Sequence, residues 1–104
     1  MIIQINADHN LIVHADFRDK IEGVLRDEMD RFKDQTTRLE VHLSDENGNK
    51  DSQDDKRCMI EARLEGAQPI VATDFGNTYE LALNGAVEKL KSSIEHRLSR
   101  LKSY

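Results

Sequence analysis

The chain changes its hydrophobic period three times. IIQIN at 2–6 alternates, with Ile3 and Ile5 on one side and Gln4 and Asn6 on the other. That is a short strand with one buried face. Residues 7–15 form a connection. From Asp16 the step lengthens: Phe17, Ile21, Val24, Leu25, Met29 and Phe32 recur every three or four residues, one apolar stripe on a helix with Asp16 at the N-cap. TRLEVHLS at 37–44 alternates again, Leu39, Val41 and Leu43 against Arg38, Glu40 and His42. RCMIEARLEG at 57–66 sets Cys58, Ile60, Ala62 and Leu64 against Met59, Glu61, Arg63 and Glu65. The polar stretch DENGNKDSQDDK at 45–56 joins these two strands as a hairpin loop. Gly66 and Pro69 mark a tight turn, and PIVATD at 69–74 is a fourth, β-branched strand.

Asn77 and Glu80, three apart, have the spacing of a capping box. Leu83, Ala86, Val87, Leu90, Ile94, Leu98 and Leu101 then form a continuous stripe. The spacing predicts a helix from about 78 to about 102, roughly 37 Å long at 1.5 Å per residue. The strands span about 20–25 Å, so the last helical turns are expected to pass the edge of the sheet. The order β-α-β-β-β-α, with one apolar face per strand, predicts an α/β (α+β) two-layer sandwich. Two helices pack on one face of a four-stranded sheet, in a single domain over 1–104.

Composition narrows the function classes. A chain of 104 residues suits one modest core, and with five aromatics and no Trp that core is aliphatic. No run approaches the roughly 18 apolar residues of a membrane span. MIIQINADHN carries no signal-peptide pattern, and Cys58 is the only cysteine. Both point to a reducing cytoplasm.

Candidate chemistry is sparse. Asp45, Asn47, Asn49 and Asp51 fall at positions 1, 3, 5 and 7 of a calcium loop. Lys50, however, stands where the turn glycine is needed, and Lys56 where the bidentate Glu is needed. The histidines His9, His14, His42 and His96 have no zinc-like spacing. No phosphate loop, nucleophile elbow or catalytic triad pattern is present. The expectation is no enzyme, no metal and no cofactor.

Charge is what remains. The formal net charge is −5, a balance unlike that of a general nucleic-acid binder. Yet residues 88–104 hold five Lys or Arg against two Glu, while 45–56 hold five carboxylates against two Lys. Cations near a helix C-terminus are favoured by the macrodipole. Segregation of opposite charge along the chain is, in addition, the footprint expected for phosphate contact.

Three stretches resemble the family of ribosome hibernation-promoting factors and ribosome-associated inhibitors. FRDKIEGVLRDEMDRF at 17–32 is similar to the family's first helix, RLEVHLS at 38–44 to its second strand, and LALNGAVEKL at 81–90 to its second helix. The element order also matches. The resemblance implies a cytoplasmic, non-enzymatic protein of the short form, without the dimerisation domain of long members. It implies binding to the small ribosomal subunit between head and body, through Lys and Arg contacts to rRNA phosphates, with no membrane and no small-molecule substrate. Carried onto this chain, the matching positions are Arg18, Lys89, Arg97, Arg100 and Lys102. Arg26 and Lys91 are nearby cations, and His96 stands where the family often has Lys. The chain departs from the family at Val24, Asp27, Asn84 and Ser93. A second reading is a protein-interaction module on the same fold with weak or no RNA binding. There an exposed continuation of the Leu98/Leu101 stripe would support a weak homodimer or dock a partner helix.

Overall fold

A computed structural model of the chain describes residues 1–8, 13–45 and 55–101. The order is β1 (Ile2–Ala7), α1 (Ala15–Glu28), a 3₁₀ turn (Asp30–Phe32), β2 (Thr36–Asp45), β3 (Lys56–Leu64), β4 (Ile70–Gly76) and α2 (Tyr79–Leu101). The sheet runs β1-β2-β3-β4, so β1 and β4 are its edges. β1 lies parallel to β2, and a parallel neighbour requires a crossover, which α1 provides. The other pairings are antiparallel, Val41 opposite Ile60 and Ile60 opposite Ala72.

The predicted alternation holds on β2, β3 and the start of β4, whereas edge strand β1 is half-buried on both faces beyond an exposed Ile2. Leu39, Val41 and Leu43 on β2, and Cys58, Ile60, Ala62 and Leu64 on β3, are buried under the helices. Ile21 and Leu25 of α1, and Ala82, Leu83, Ala86, Val87, Leu90 and Ile94 of α2, complete one core. Burying a Leu or Ile side chain of this kind contributes about 1.5–3 kcal/mol.

Several boundaries differ from the sequence expectation. His14, not Asp16, stands at the N-cap of α1 and makes no side-chain capping bond; Asp16 lies in the first turn. There its charge still complements the macrodipole. α1 stops at Glu28, although the stripe runs on to Phe32. Met29 and Phe32 nevertheless reach the core, because the 3₁₀ turn preserves the three-residue step between them. At the start of α2 the cap is Thr78, one residue later than expected: its Oγ1 accepts the Leu81 N–H at 3.1 Å. Glu80 does not close a capping box but pairs with Lys20 of α1 at 2.9 Å. The turn after β3 depends on Gly66, whose φ of 71° is left-handed.

The other face of the sheet lies open and largely neutralises itself. Arg38 bonds Gln4 and lies 3.2 Å from Glu40, and Arg63 lies 3.6 Å from Glu40 and 3.2 Å from Glu61. A hydrogen bond with Glu61, together with the charges of Arg63 and Arg38, holds the Glu40 carboxyl below its ordinary value.

Candidate nucleic-acid interface

α2 carries two chemically different sides. An α-helix turns 100° per residue, so residues 80, 84, 88, 91 and 95 form one stripe, and 89, 93, 96 and 100 another. The first stripe faces α1, where its charges are already paired. Glu80 meets Lys20, and Lys91 reaches Glu28 of α1 at 2.8 Å and Glu88 at 3.5 Å. Glu95 pairs with Arg31, whose guanidinium also stacks 4.7 Å from the Phe32 ring centroid. The hydrogen bond to Glu28 is the main cause that raises the Lys91 pKa above its ordinary value.

The second stripe faces edge strand β4. Here His96, Arg97 and Arg100 join Ser92 and Ser93 along a groove of about 580 Å³, whose opposite wall is Pro69, Ile70 and Val71. Among the described residues that line it none is acidic. Arg97 donates to the Gln68 carbonyl at 3.0 Å, which holds its guanidinium at the rim. Lys89, two turns earlier, donates to the Thr73 carbonyl at 3.2 Å and lies 3.3 Å from Asp74. Cations, hydroxyls and a short apolar wall form a surface that can take an anionic group, a phosphodiester with its sugar among them.

The cations singled out in the sequence therefore separate. His96, Arg97 and Arg100 come together, with Lys89 on the same side. Lys91, only two residues from Lys89, is turned away and spent on the tie between the helices. Arg18 and Arg26 belong to α1, over the opposite edge: Arg18 donates to the Ile5 carbonyl at 3.2 Å, and Arg26 pairs with Glu22 at 3.0 Å. Lys102 lies outside the described residues. Sequence reasoning missed Ser92 as a wall of the groove, and Ser93 entered only as a departure from the family. Leu98 packs against the core and lines a hollow with Phe32, so the stripe is not free at that position; the Leu101 side chain lies outside the described residues.

Among the described residues no three His, Cys, Asp or Glu side chains are placed to hold a metal ion. Most of the 45–56 loop, and with it the calcium-like spacing and His9, lies outside them. At the loop's described ends the Lys56 ammonium sits between Asp45 at 3.0 Å and Asp55 at 3.2 Å, a cation in covalent form. No helix among the described residues is long and apolar enough to cross a membrane.

Comparison with known proteins agrees with the fold. The chain is similar to the N-terminal domain of Protein Y from Thermus thermophilus, at 25% identity and a TM-score of 0.72, over 92% of this chain and 98% of that one. It is similar in fold to a ribosomal subunit interface protein from Coxiella burnetii, at 16% identity and a TM-score of 0.68, with both chains fully covered. No functionally curated protein matches it significantly. The family model of the Sigma 54 modulation protein / S30EA ribosomal protein matches residues 3–102. With nearly the whole chain and its β-α-β-β-β-α order accounted for, the protein belongs to that family, whose members are ribosome-associated factors without enzymatic activity.

Proposed function

We propose that the protein binds the small ribosomal subunit through rRNA phosphates held on the β4 side of α2, and that it silences idle ribosomes, under stress or in stationary phase, as a steric wedge. The observation that carries this reading is the division of charge on α2. Every described carboxylate on its α1 side has a cationic partner, while His96, Arg97 and Arg100 line a groove with no acidic wall. A chain of net charge −5 thus offers polyanionic RNA one concentrated cationic surface.

The test is co-sedimentation with separated ribosomal subunits at low and near-physiological salt. The expected result is saturable pelleting with the small subunit that weakens as salt rises, and loss of that pelleting in Arg97→Glu/Arg100→Glu. Undiminished pelleting of a folded double variant would remove the groove from the interface. Absence of pelleting at low salt would remove the ribosome from the function.

A further inference from the structure

The sheet has two edges, and each is closed in the same way by the helix above it. Over β1, Arg18 donates to the Ile5 carbonyl at 3.2 Å and Arg26 to the Met1 carbonyl at 3.4 Å. Over β4, Lys89 donates to the Thr73 carbonyl at 3.2 Å and Arg97 to the Gln68 carbonyl at 3.0 Å. In both helices the two donors are eight residues apart, a rise of about 12 Å. The acceptors lie four and five residues apart on the extended chain, about 13–17 Å. The helices run antiparallel to the edges they guard, and in each pair one acceptor lies within the strand (Ile5, Thr73) and the other just before it (Met1, Gln68).

These edges need guarding. Among the described residues the exposed large hydrophobics are Ile2, Val71, Phe75 and Leu81, and the first three lie on the edge strands. An edge with free carbonyls and exposed apolar side chains is a template for another strand. β4 is also self-complementary. A second β4 laid antiparallel about Thr73 would set Val71 of each copy opposite Phe75 of the other, an aromatic and β-branched pair of the kind that stabilises sheets. The guards oppose this twice: Lys89 occupies the Thr73 carbonyl at the centre of that pairing and would meet Lys89 of the other copy there as a like charge, and Arg97 holds the chain where it enters the strand.

We propose that Arg18 and Arg26 on β1, and Lys89 and Arg97 on β4, keep the sheet from extending into a second copy of this chain. Arg18, Arg26 and Lys89 do not line the groove, whereas Arg97 lines it and would serve both roles, so the readout here is mass without RNA.

The test is sedimentation equilibrium over a wide range of protein concentration. The native chain is expected to hold the monomer mass of 11.9 kDa. Lys89→Ala/Arg97→Ala is expected to rise toward twice that mass as concentration increases. His96→Ala/Arg100→Ala removes charge from the same helix side without touching a strand carbonyl and is expected to remain monomeric. Adding Val71→Lys to the Lys89→Ala/Arg97→Ala variant is expected to restore the monomer by placing a charge on the opened edge. A folded Lys89→Ala/Arg97→Ala protein that stays monomeric throughout overturns the proposal, as does equal association of the His96→Ala/Arg100→Ala control. If the β4 variant does not fold, Arg18→Ala/Arg26→Ala puts the same question to β1, with a monomer again overturning the proposal.

Discussion

The carboxylate of Asp74 on β4 rests against the bare backbone of Gly85 on α2. A Cβ on Gly85 would lie 2.7 Å from Asp74 Cγ and 3.1 Å from its Cβ. The same carboxylate accepts the Phe75 N–H at 2.9 Å and faces Lys89 Nζ at 3.3 Å, so it is not free to swing aside without loss. Gly85 thus lets the helix lie close to the sheet edge, and the alignment of α2 along β4 depends on it. In a helix interior Ala is ordinarily better than Gly by up to about 1 kcal/mol. Overpacking costs about 1–3 kcal/mol. The clash outweighs the gain in helix propensity, and Gly85→Ala is expected to destabilise the fold by about 1–2 kcal/mol. Gly23 of α1 is exposed with nothing within 4 Å of its would-be Cβ. There the propensity gain stands alone, and Gly23→Ala is expected to stabilise by about 0.5–1 kcal/mol. Urea unfolding of both variants checks the pair; a Gly85→Ala protein more stable than native contradicts the close packing of α2 on β4.

Much of the architecture was legible because strands and helices differ in period. Leu39, Val41 and Leu43 alternate with polar residues, and a two-residue step admits no helix. Phe32 marks the limit of periodicity: α-helical and 3₁₀ turns both accept a three-residue step, so its burial was readable and its helix type was not. The cap of α2 failed for a similar reason. Asn77 and Thr78 are both good cap residues, and their side chains alone do not choose between them. The site was legible as charge and illegible as direction. Lys89 and Lys91 look alike in the sequence. Two residues are about 200° of helix, so they had to part, but which one met α1 and which met β4 is decided by tertiary packing. The carbonyl partners of Lys89 and Arg97 leave no trace in the side-chain pattern, because an acceptor on the backbone can belong to any residue.

The Cys58 thiol predicts how the protein responds to alkali. It is fully buried between β2 and β4, and burial pushes its pKa from 9.0 up to about 12. A folded pKa above the unfolded value means that the folded state keeps a proton the unfolded state releases. Stability is therefore unaffected by this group below about pH 9 and falls as pH rises toward 12. The limiting slope is about 1.4 kcal/mol per pH unit for one group. Lys56 and Lys91, also raised, act with the same sign above their ordinary 10.5. Stability measured by urea unfolding between pH 8 and pH 10 is expected to decline in the native chain and more shallowly in Cys58→Ala. Thiol-reactive dye is expected to label the native protein only as fast as it opens. Rapid stoichiometric labelling at pH 7 without denaturant would contradict the burial on which both expectations rest.

The two sides of α2 are expected to separate stability from binding. Lys91 is largely covered and bonded to Glu28, and its loss leaves a carboxylate between the helices without its cation. Lys91→Met is expected to lower the thermal midpoint while leaving ribosome association and its salt dependence as in the native chain. Glu28→Gln is expected to do the same, and the double variant to lower the midpoint by less than the sum of the two, because they remove one shared contact. Arg100 is exposed and lines the groove, so Arg100→Ala is expected to leave the midpoint nearly unchanged. Its effect falls instead on association: weaker at every salt concentration, with a logarithmic salt slope shallower by about 1, the loss of one phosphate contact. Thermal melts and small-subunit binding at three salt concentrations measure all four proteins together. If Lys91→Met flattens the salt slope as Arg100→Ala does, the α1 side of the helix also meets RNA. The division of charge along α2 would then be a packing arrangement alone, and the surface offered to phosphate would have to be redrawn across the α1–α2 seam.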